Sequence, residues 1–367
     1  MTKIATVLGT RPEAVKLAPL ISALDGQKTD FNVVTVATGQ QRSGFAETLD
    51  ALTLGIDRWL DVLTPGQPLW KLNARLLDSL GSLFDEIEPD LVLVQGDTQS
   101  ALAGAMAGAL RQTPVAHVEA GLRSGNIKAP FPEELNRRSI AQIADLHFAP
   151  TRDAAANLAS EGVPRDAIAV TGNTVVDSLN RFCRPRTNQG TRDNRRRIIV
   201  TSHRRESWNG GLDNICKAVR ALTRLCVGAD ILFVLPSSPD LRRRISATLG
   251  DVPTVRLVEP LAYPNFLAEV AGADIVLTDS GGVQEETATL GVPTVVMRNE
   301  TDRPESLALP HTNLSGTEPA AIVRATMEML AKPLSGRHGG KAGPFGDGRA
   351  AERIINGLNN WRLGRWP

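Results

Sequence analysis

Asp274-Ile-Val-Leu-Thr-Asp-Ser-Gly-Gly-Val-Gln-Glu-Glu-Thr-Ala-Thr-Leu-Gly291 is the stretch that decides the fold class of this chain. Its apolar run, Ile275 to Leu277, predicts a buried strand, and Ser280-Gly281-Gly282 predicts a tight turn. Val283 to Leu290 has helical character and ends at Gly291, a residue typical of helix C-terminal caps. The stretch is therefore predicted to fold as strand, glycine turn and helix, which is a repeating unit of doubly wound α/β domains.

The glycine turn at Ser280, Gly281 and Gly282 has two interpretations. The free amides of the first helical turn, together with the positive end of the helix dipole, form an anion site, and the absent side chains let a phosphate reach the backbone. Alternatively, the turn is a plain junction between strand and helix, in which Glu285 and Glu286 complement the dipole. The turn alone does not decide between these interpretations.

Length and composition favour a two-domain cytoplasmic protein. A chain of 367 residues exceeds the usual single core, and its net charge of +1 argues against a general nucleic-acid or membrane-surface binder. Three cysteines without metal-ligand spacing fit a reducing compartment, and we expect no metal site. The opening residues lack the features of a signal peptide, and the longest apolar run, Ala101 to Leu110, is too short to span a bilayer.

Apolar runs alternate with helical patterns along the chain, and the runs are continuous rather than alternating, which predicts parallel strands covered on both faces. The predicted strands are Ile4–Leu8, Val33–Ala37, Leu91–Val94, Val115–Val118, Leu146–Ala149, Ile198–Thr201, Ile231–Leu235, Val255–Leu257, Ile275–Leu277 and Thr294–Met297. We therefore predict an α/β fold of two doubly wound Rossmann-like domains, residues 1–172 and 173–345, facing each other across a cleft. Residues 346–367 are expected to form a C-terminal helix that packs back on the first domain.

Charged residues follow several of the predicted strands of the first domain. Ligands of doubly wound sheets bind at the carboxyl ends of the strands, so these residues are site candidates. Arg11 and Lys16 follow the first strand and suit a diphosphate, although a single Arg or Lys is more often solvated surface charge. Asp97 is a candidate carboxylate or simply the cap of the helix from Thr98. Glu119 ends an apolar strand and is harder to explain as a cap.

The other candidates lie later in the chain, in the first domain and in the second. Glu133 and Arg137 belong to the segment after Glu119 and add a third acidic position to the predicted edge. In the second domain, His203 follows the strand Ile198–Thr201, where a leaving phosphate would need a donor; a lone histidine is more often structural. Carboxylates in one domain and phosphate donors in the other indicate an enzyme that acts on a nucleotide-activated substrate.

At this point the sequence resembles the non-hydrolysing UDP-N-acetylglucosamine 2-epimerases. Eight motifs stand in the order of that family and span nearly the whole chain. They are Gly9-Thr-Arg-Pro-Glu13, Gly96-Asp-Thr98, His117-Val-Glu-Ala-Gly-Leu-Arg123, Pro132-Glu-Glu134 with Asn136-Arg137, His203-Arg-Arg-Glu206, Thr278-Asp-Ser-Gly-Gly282 with Gln284-Glu-Glu286, Arg303-Pro-Glu305 and Gly346-Asp-Gly348. The resemblance implies a glycosyltransferase-B type fold, a homodimer, and interconversion of UDP-GlcNAc and UDP-ManNAc.

The resemblance also implies a role for each candidate residue. The acid/base groups would be Asp97, Glu119 and Glu133, with His203 assisting at the phosphate or the sugar. The substrate would be held by Arg11, Lys16 and the turn Ser280-Gly281-Gly282 at the diphosphate, Glu286 at the ribose hydroxyls, Phe266 near the uracil, and Arg137 and Arg303 at the sugar or phosphate. No Gly-x-Gly-x-x-Gly motif follows any strand, so we expect no NAD cofactor and favour elimination of UDP over oxidation.

Departures from the family pattern leave two points open. Gln41 and Gln95 stand where relatives carry histidine, and Gly66 and Pro236 cannot make the polar contacts by which bacterial relatives bind an activating second UDP-GlcNAc. We hypothesise that substrate activation is absent or altered here. The segment Ser306–Pro310 also departs from the pattern, which leaves the sugar open to other 2-acetamido UDP-sugars. A hydrolysing 2-epimerase, a glycosyltransferase and a non-catalytic nucleotide-sugar sensor remain alternatives.

Overall fold

The structure, a computed structural model, describes residues 1–41, 44–64, 66–183, 195–202, 210–236, 238–332 and 343–366. The chain divides into two compact units. Unit 1 contains Met1–Arg181 and Phe345–Pro367, and unit 2 contains Phe182–Pro344. The chain therefore leaves unit 1, builds unit 2 and returns.

Unit 1 is built on a parallel sheet with the order β3-β2-β1-β4-β5-β6-β7 across its described residues. Its strands are β1 Thr2–Leu8, β2 Phe31–Ala37, β3 Arg58–Trp59, β4 Leu91–Gln95, β5 Val115–Val118, β6 Leu146–Ala149 and β7 Ile168–Val170. Its helices are α1 Arg11–Asp25, α2 Phe45–Leu52, α3 Leu69–Ile87, α4 Gln99–Leu110, α5 Glu133–Ile143, α6 Arg152–Ser160 and α7 Thr174–Phe182, with the last, α14, at Ala350–Arg362. The order reverses beside β1, so β1, β4 and β5 end side by side.

Unit 2 repeats the architecture with a parallel sheet of order β10-β9-β8-β11-β12-β13 in its described part. Its strands are β8 Arg197–Thr201, β9 Asp230–Val234, β10 Val255–Val258, β11 Ile275–Thr278, β12 Thr294–Val296 and β13 Thr312–Leu314. Its helices are α8 Gly211–Leu225, α9 Pro239–Leu249, α10 Tyr263–Gly272, α11 Gly281–Leu290, α12 Pro304–Leu307 and α13 Pro319–Ala331. The predicted fold class, two doubly wound α/β units, is confirmed.

Helix α4, which contains the longest apolar run of the sequence, packs against the sheet of unit 1. A Cβ at Gly104 would come within 3.0 Å of Val94, and one at Gly108 within 3.0 Å of Val115, so this helix packs closely on β4 and β5. Nine of the twelve residues of α4 are buried as a result. Among the described residues, none of the helices has the length and apolarity needed to cross a membrane.

Helices α7 and α14 join the two segments of unit 1. The carboxylate of Asp177 accepts hydrogen bonds from the backbone amides of Ala350 and Ala351, at 3.1 and 2.9 Å. The hydroxyl of Ser178 donates to the carbonyl of Val15 in α1. These contacts explain why the first segment of unit 1 extends to Arg181, beyond the expected boundary at residue 172.

Candidate active site

The carboxyl ends of β1, β4 and β5 bring three loops of unit 1 together. Parallel neighbours end at the same edge of a sheet, and Val94 of β4 pairs with His117 of β5 while Val7 of β1 pairs with Val94. The loop after β1 begins at Gly9, the loop after β4 carries Asp97, and the loop after β5 begins at Glu119. The structure therefore places the predicted positions Arg11, Lys16, Asp97 and Glu119 at one edge of one sheet.

Glu119 has the most constrained surroundings of the acidic candidates. It is only 6 % exposed, and its Oε2 accepts a 2.7 Å hydrogen bond from Nε2 of Gln95 and pairs with Nζ of Lys16. Its φ of 66° lies in the left-handed region, which residues other than glycine rarely adopt and which is often found at functional sites. A buried carboxylate with a cation, an amide donor and a strained backbone is a strong candidate for an acid/base group.

Asp97 is held in a different way, by contacts from α5. Its Oδ2 lies 2.5 Å from Nη2 of Arg137, and its carbonyl accepts a 2.8 Å hydrogen bond from Nδ2 of Asn136. The interpretation of Asp97 as a helix cap is wrong, because the cap of α4 is Thr98, whose hydroxyl accepts from the amide of Ala101. The side chain of Asp97 is 20 % exposed, so its carboxylate can reach a ligand.

Sequence reasoning did not select Glu13, which the structure places in this site. Its Oε2 accepts from the amide of Gly9 at 3.0 Å and the hydroxyl of Thr10 at 2.8 Å, and its Oε1 accepts from the hydroxyl of Thr98 at 2.7 Å. Burial raises the pKa of Glu13 to about 7, although these three donors oppose the shift. The spacing Thr10-x-x-Glu13 at a helix start is that of a capping box, and this signal was available in the sequence.

Helix α5 supplies two acidic residues with different surroundings. Glu134 is fully buried, and its Oε2 accepts from Nη1 of Arg137 at 2.9 Å and from the amide of Ser124 at 3.1 Å. Glu133, the predicted acid/base residue, is the first residue of the helix and is half-buried. Glu134 therefore has a structural role in fixing Arg137, and Glu133 retains access to solvent.

Arg11 and Lys16 both belong to α1 and are already engaged. Nε of Arg11 donates to the hydroxyl of Thr48 in α2 at 2.9 Å, and its backbone amide donates to Oε1 of Gln41 at 3.0 Å. Burial lowers the pKa of Arg11 from its ordinary value, while Glu47 opposes this shift. Lys16 is 5 % exposed and forms the ion pair with Glu119. Each has further donors, because an ammonium carries three and a guanidinium five.

In unit 2, the glycine turn has the predicted geometry of strand, turn and helix. The hydroxyls of Thr201 and Thr278 lie 2.7 Å apart, the hydroxyl of Ser202 donates to Asp279 at 2.8 Å, and the amide of Ser280 donates to the hydroxyl of Thr278 at 3.0 Å. Helix α11 begins at Gly281 and has no acidic residue in its first turn. The alternative in which acidic residues complement the dipole loses support, since Glu285 and Glu286 lie beyond that turn.

The remaining unit 2 candidates differ in how they are held. Arg303 is 3 % exposed, and its guanidinium pairs with Glu285 at 2.6 Å and Asp302 at 2.7 Å, contacts that the sequence did not predict. Glu286 is 5 % exposed and lies beside Tyr263, where burial and this carboxylate raise the phenol pKa well above its ordinary value. Phe266 in α10 is half-buried and packs against the core of unit 2.

Two further predictions concern His203 and a metal site. His203, predicted to assist the leaving phosphate, lies outside the described residues. Within the described part of the chain, there is no group of three or more His, Cys, Asp and Glu side chains that could hold a metal ion.

Comparison with known proteins identifies the family of this chain. The family model described as UDP-N-acetylglucosamine 2-epimerase matches residues 23–359, and the chain belongs to this family. It is 40 % identical to UDP-N-acetylglucosamine 2-epimerase of Bacillus subtilis over 362 residues, covering 97 % of this chain and 94 % of the relative. The description of the family names epimerisation of UDP-N-acetylglucosamine at C2.

Solved structures agree with the family assignment. The crystal structure of UDP-GlcNAc 2-epimerase from Neisseria meningitidis bound to UDP-GlcNAc is similar with a TM-score of 0.91 and 34 % identity, covering 98 % of this chain and 100 % of that one. The S. aureus MnaA–UDP co-structure has a TM-score of 0.92 and 35 % identity, covering 100 % of this chain and 98 % of that one. The fold is therefore of the predicted glycosyltransferase-B type.

Proposed function

We propose that this enzyme interconverts UDP-GlcNAc and UDP-ManNAc without net hydrolysis. The observation that carries the proposal is the pair of carboxylates, Asp97 and Glu119, which come from adjacent strand ends and are each bound to a cation, Arg137 and Lys16. Removal and return of one proton from opposite faces of a sugar ring requires two such groups. The relatives found in complex with UDP-GlcNAc and with UDP support the substrate class.

The chemistry proposed is an anti elimination followed by re-addition. The C2 proton of an N-acetylhexosamine has no adjacent carbonyl, so it becomes removable only as the bond from C1 to the UDP oxygen breaks. Loss of the C2 proton to a carboxylate and departure of UDP give 2-acetamidoglucal. Return of a proton to the opposite face of C2 and of UDP to C1 completes the inversion. We assign these proton transfers to Asp97, Glu119 and Glu133, with His203 assisting at the phosphate or the sugar.

We propose that unit 2 holds the nucleotide. The free amides after Ser280 suit a diphosphate, because a helix start with glycines exposes donors and a partial positive charge. Among the described residues, no atom outside its own helix backbone lies within 4 Å of the position that a Cβ on Gly282 would occupy, so the backbone is accessible from these residues. Glu286 would bind the ribose hydroxyls, Phe266 would pack near the uracil, and Arg303 would contact sugar or phosphate.

We propose that the charges of unit 1 act on the diphosphate and the sugar of a UDP-sugar. Arg11 and Lys16 would stabilise the departing diphosphate, which carries the charge that develops as the C1 bond breaks. Arg137 would hold Asp97 and contact the substrate. A homodimer and a cytoplasmic location are also proposed; sedimentation velocity of the purified protein tests the first, and a dilution-independent monomer would contradict it.

Proton NMR of the purified protein with UDP-GlcNAc in deuterated water, without added NAD or metal, tests the function. Deuterium at C2 together with UDP-ManNAc is expected, with no accumulation of free UDP. Accumulation of UDP and free ManNAc would instead indicate a hydrolysing 2-epimerase. An intact, unlabelled substrate would contradict the proposed sugar, and the same experiment with other 2-acetamido UDP-sugars would then separate an epimerase of another sugar from a transferase or a sensor.

A further inference from the structure

Gln95 is a buried side chain that no proposed step of the reaction uses. It is the last residue of β4, is 2 % exposed, and pairs in register with Val118, the residue before Glu119. Its Nε2 donates a 2.7 Å hydrogen bond to Oε2 of Glu119. A buried amide at a strand end requires partners for its polar atoms, and here one partner is the carboxylate we propose as an acid/base group.

Gln95 and Lys16 both act on the same oxygen of Glu119. The ammonium of Lys16 arrives from α1, and the amide of Gln95 from β4, so two elements hold the carboxylate at Oε2. The backbone of Glu119 has a φ of 66°, so its conformation depends on contacts that offset the strain. The hydrogen bond from Gln95 and the ion pair with Lys16 both hold Oε2 of Glu119 in place and help to offset the strain of its backbone.

We propose that Gln95 is a positioning residue that holds the Glu119 carboxylate in its reactive orientation. The inference rests on the proposed function, in which Glu119 exchanges a proton with C2 of the sugar. An amide neither gains nor loses a proton in the working pH range. The donor from Gln95 therefore stays the same while Glu119 exchanges a proton with the sugar. A side chain at this position that titrates would lose or reverse its hydrogen bond to Glu119 as the pH changes. The orientation of the Glu119 carboxylate would then depend on pH.

Replacement of Gln95 by Glu separates positioning from simple packing. The shape is nearly unchanged, but the donor becomes a second carboxylate beside Glu119, and two close carboxylates resist joint ionisation. Among the described residues, the charged groups at this sheet edge are Arg11, Glu13 and Lys16 from α1, Asp97 after β4, and Glu133, Glu134 and Arg137 from α5. They are the same in both proteins, so a change in the pH profile reports the new neighbour.

The test compares wild type with Gln95→Glu, Gln95→Met and Gln27→Glu across a range of pH. Gln27 is a half-buried amide of unit 1 that bonds to Asn359 and serves as the matched amide-to-carboxylate control. We expect Gln95→Glu to move the acidic limb of the kcat/KM profile upward by about one pH unit. Gln95→Met is expected to lower kcat about a hundredfold with KM little changed, as for a misplaced catalytic group.

The readouts are epimerisation and C2 deuterium exchange, with circular dichroism and UDP affinity as checks on folding. Should Gln95→Met fail to fold, the nearly isosteric Gln95→Glu still decides through its pH profile. Profiles and kcat values that match wild type in both variants would overturn the inference while leaving the epimerase function intact. An inactive wild type would instead overturn the proposed function, and the role of Gln95 with it.

Discussion

Nη2 of Arg137 lies 2.5 Å from Oδ2 of Asp97, and this contact connects α5 to the loop after β4. The other terminal nitrogen of Arg137 binds Glu134 at 2.9 Å, in a pair whose side chains are 2 % and 0 % exposed. One guanidinium therefore serves a carboxylate that reaches solvent and one that does not. Arg137 and Asn136, whose amide binds the carbonyl of Asp97, therefore hold this loop from α5.

Arg137→Met should destabilise the fold strongly, because it removes the buried cation that binds Oε2 of the fully buried Glu134. The expected loss in free energy of unfolding is about 3–5 kcal/mol, measured by urea unfolding. Arg138→Met is the matched control: Arg138 also pairs with Glu134, at 3.2 Å, but its side chain is 39 % exposed. It should cost no more than about 1 kcal/mol, as surface ion pairs do. Equal losses in the two variants would contradict the assignment.

Glu119→Gln should retain fold and UDP affinity but lose at least about a hundredfold in kcat, since an amide cannot exchange the C2 proton. The side-chain oxygen of the new amide can still accept from Lys16 and Gln95, but the buried ammonium of Lys16 loses its counter-charge, so a fall of about 3 kcal/mol in the free energy of unfolding is expected. Steady-state kinetics and UDP titration measure the two effects. Unchanged turnover would exclude Glu119 from the mechanism.

Glu13 should make stability depend on pH. Its pKa is raised by burial to about 7 in the folded protein, above the ordinary 4.5, so the folded state binds the proton more tightly than the unfolded state does. The resulting stabilisation is present below pH 4.5 and is lost as the pH rises to about 7, by on the order of 3 kcal/mol.

Glu13→Gln removes this titration. The difference in free energy of unfolding, wild type minus variant, is therefore expected to fall between about pH 4.5 and 7. Urea unfolding of both proteins at pH 5 and 7.5 measures it. A difference that stays constant, or rises, over this window would show that Glu13 is ionised throughout.

Gly282→Ala should separate ligand binding from stability. In the described part of the chain, no atom outside its own helix backbone lies within 4 Å of the added Cβ, so the free energy of unfolding should change little. UDP affinity should fall about tenfold, roughly 1.4 kcal/mol, if the ligand approaches the backbone there. Gly81→Ala is the control, because Gly81 in α3 is equally open and lies in unit 1. Isothermal titration with UDP distinguishes the two; equal affinities would place the diphosphate elsewhere.

Activation by substrate should be absent or weak. Gly66 provides no polar side chain, and the carbonyl of Pro236 is engaged by Nε of Arg242 at 2.7 Å. Reactions started from purified UDP-ManNAc should therefore proceed without a lag. A strict requirement for added UDP-GlcNAc in this direction would contradict the hypothesis.

The sequence predicted the main strands well, because continuous apolar runs in covered parallel sheets are distinctive. Val115–Val118 and Leu146–Ala149 were predicted as strands with the bounds the structure shows. The strands it missed lie at or near sheet edges, such as Arg58–Trp59 and Thr312–Leu314, where exposure removes the apolar signal.

The site was less predictable than the fold, since its pairings join residues far apart in the chain. Lys16 and Glu119, or Arg303 and Glu285, were identified as candidates or motif residues, but neither pair was predicted. Which cation meets which carboxylate depends on strand order and helix packing, and local sequence patterns carry no information about that.

The return of the chain to unit 1 has a consequence for how the protein is made. Ala350 and Ala351, whose amides bind Asp177, are synthesised after unit 2. Unit 1, whose first segment precedes unit 2 in the sequence, therefore remains incomplete on the ribosome until unit 2 has been translated. Synthesis of unit 1 therefore starts before that of unit 2 but is completed after it. A truncation that removes only α14 should expose the surface of unit 1 that this helix covers.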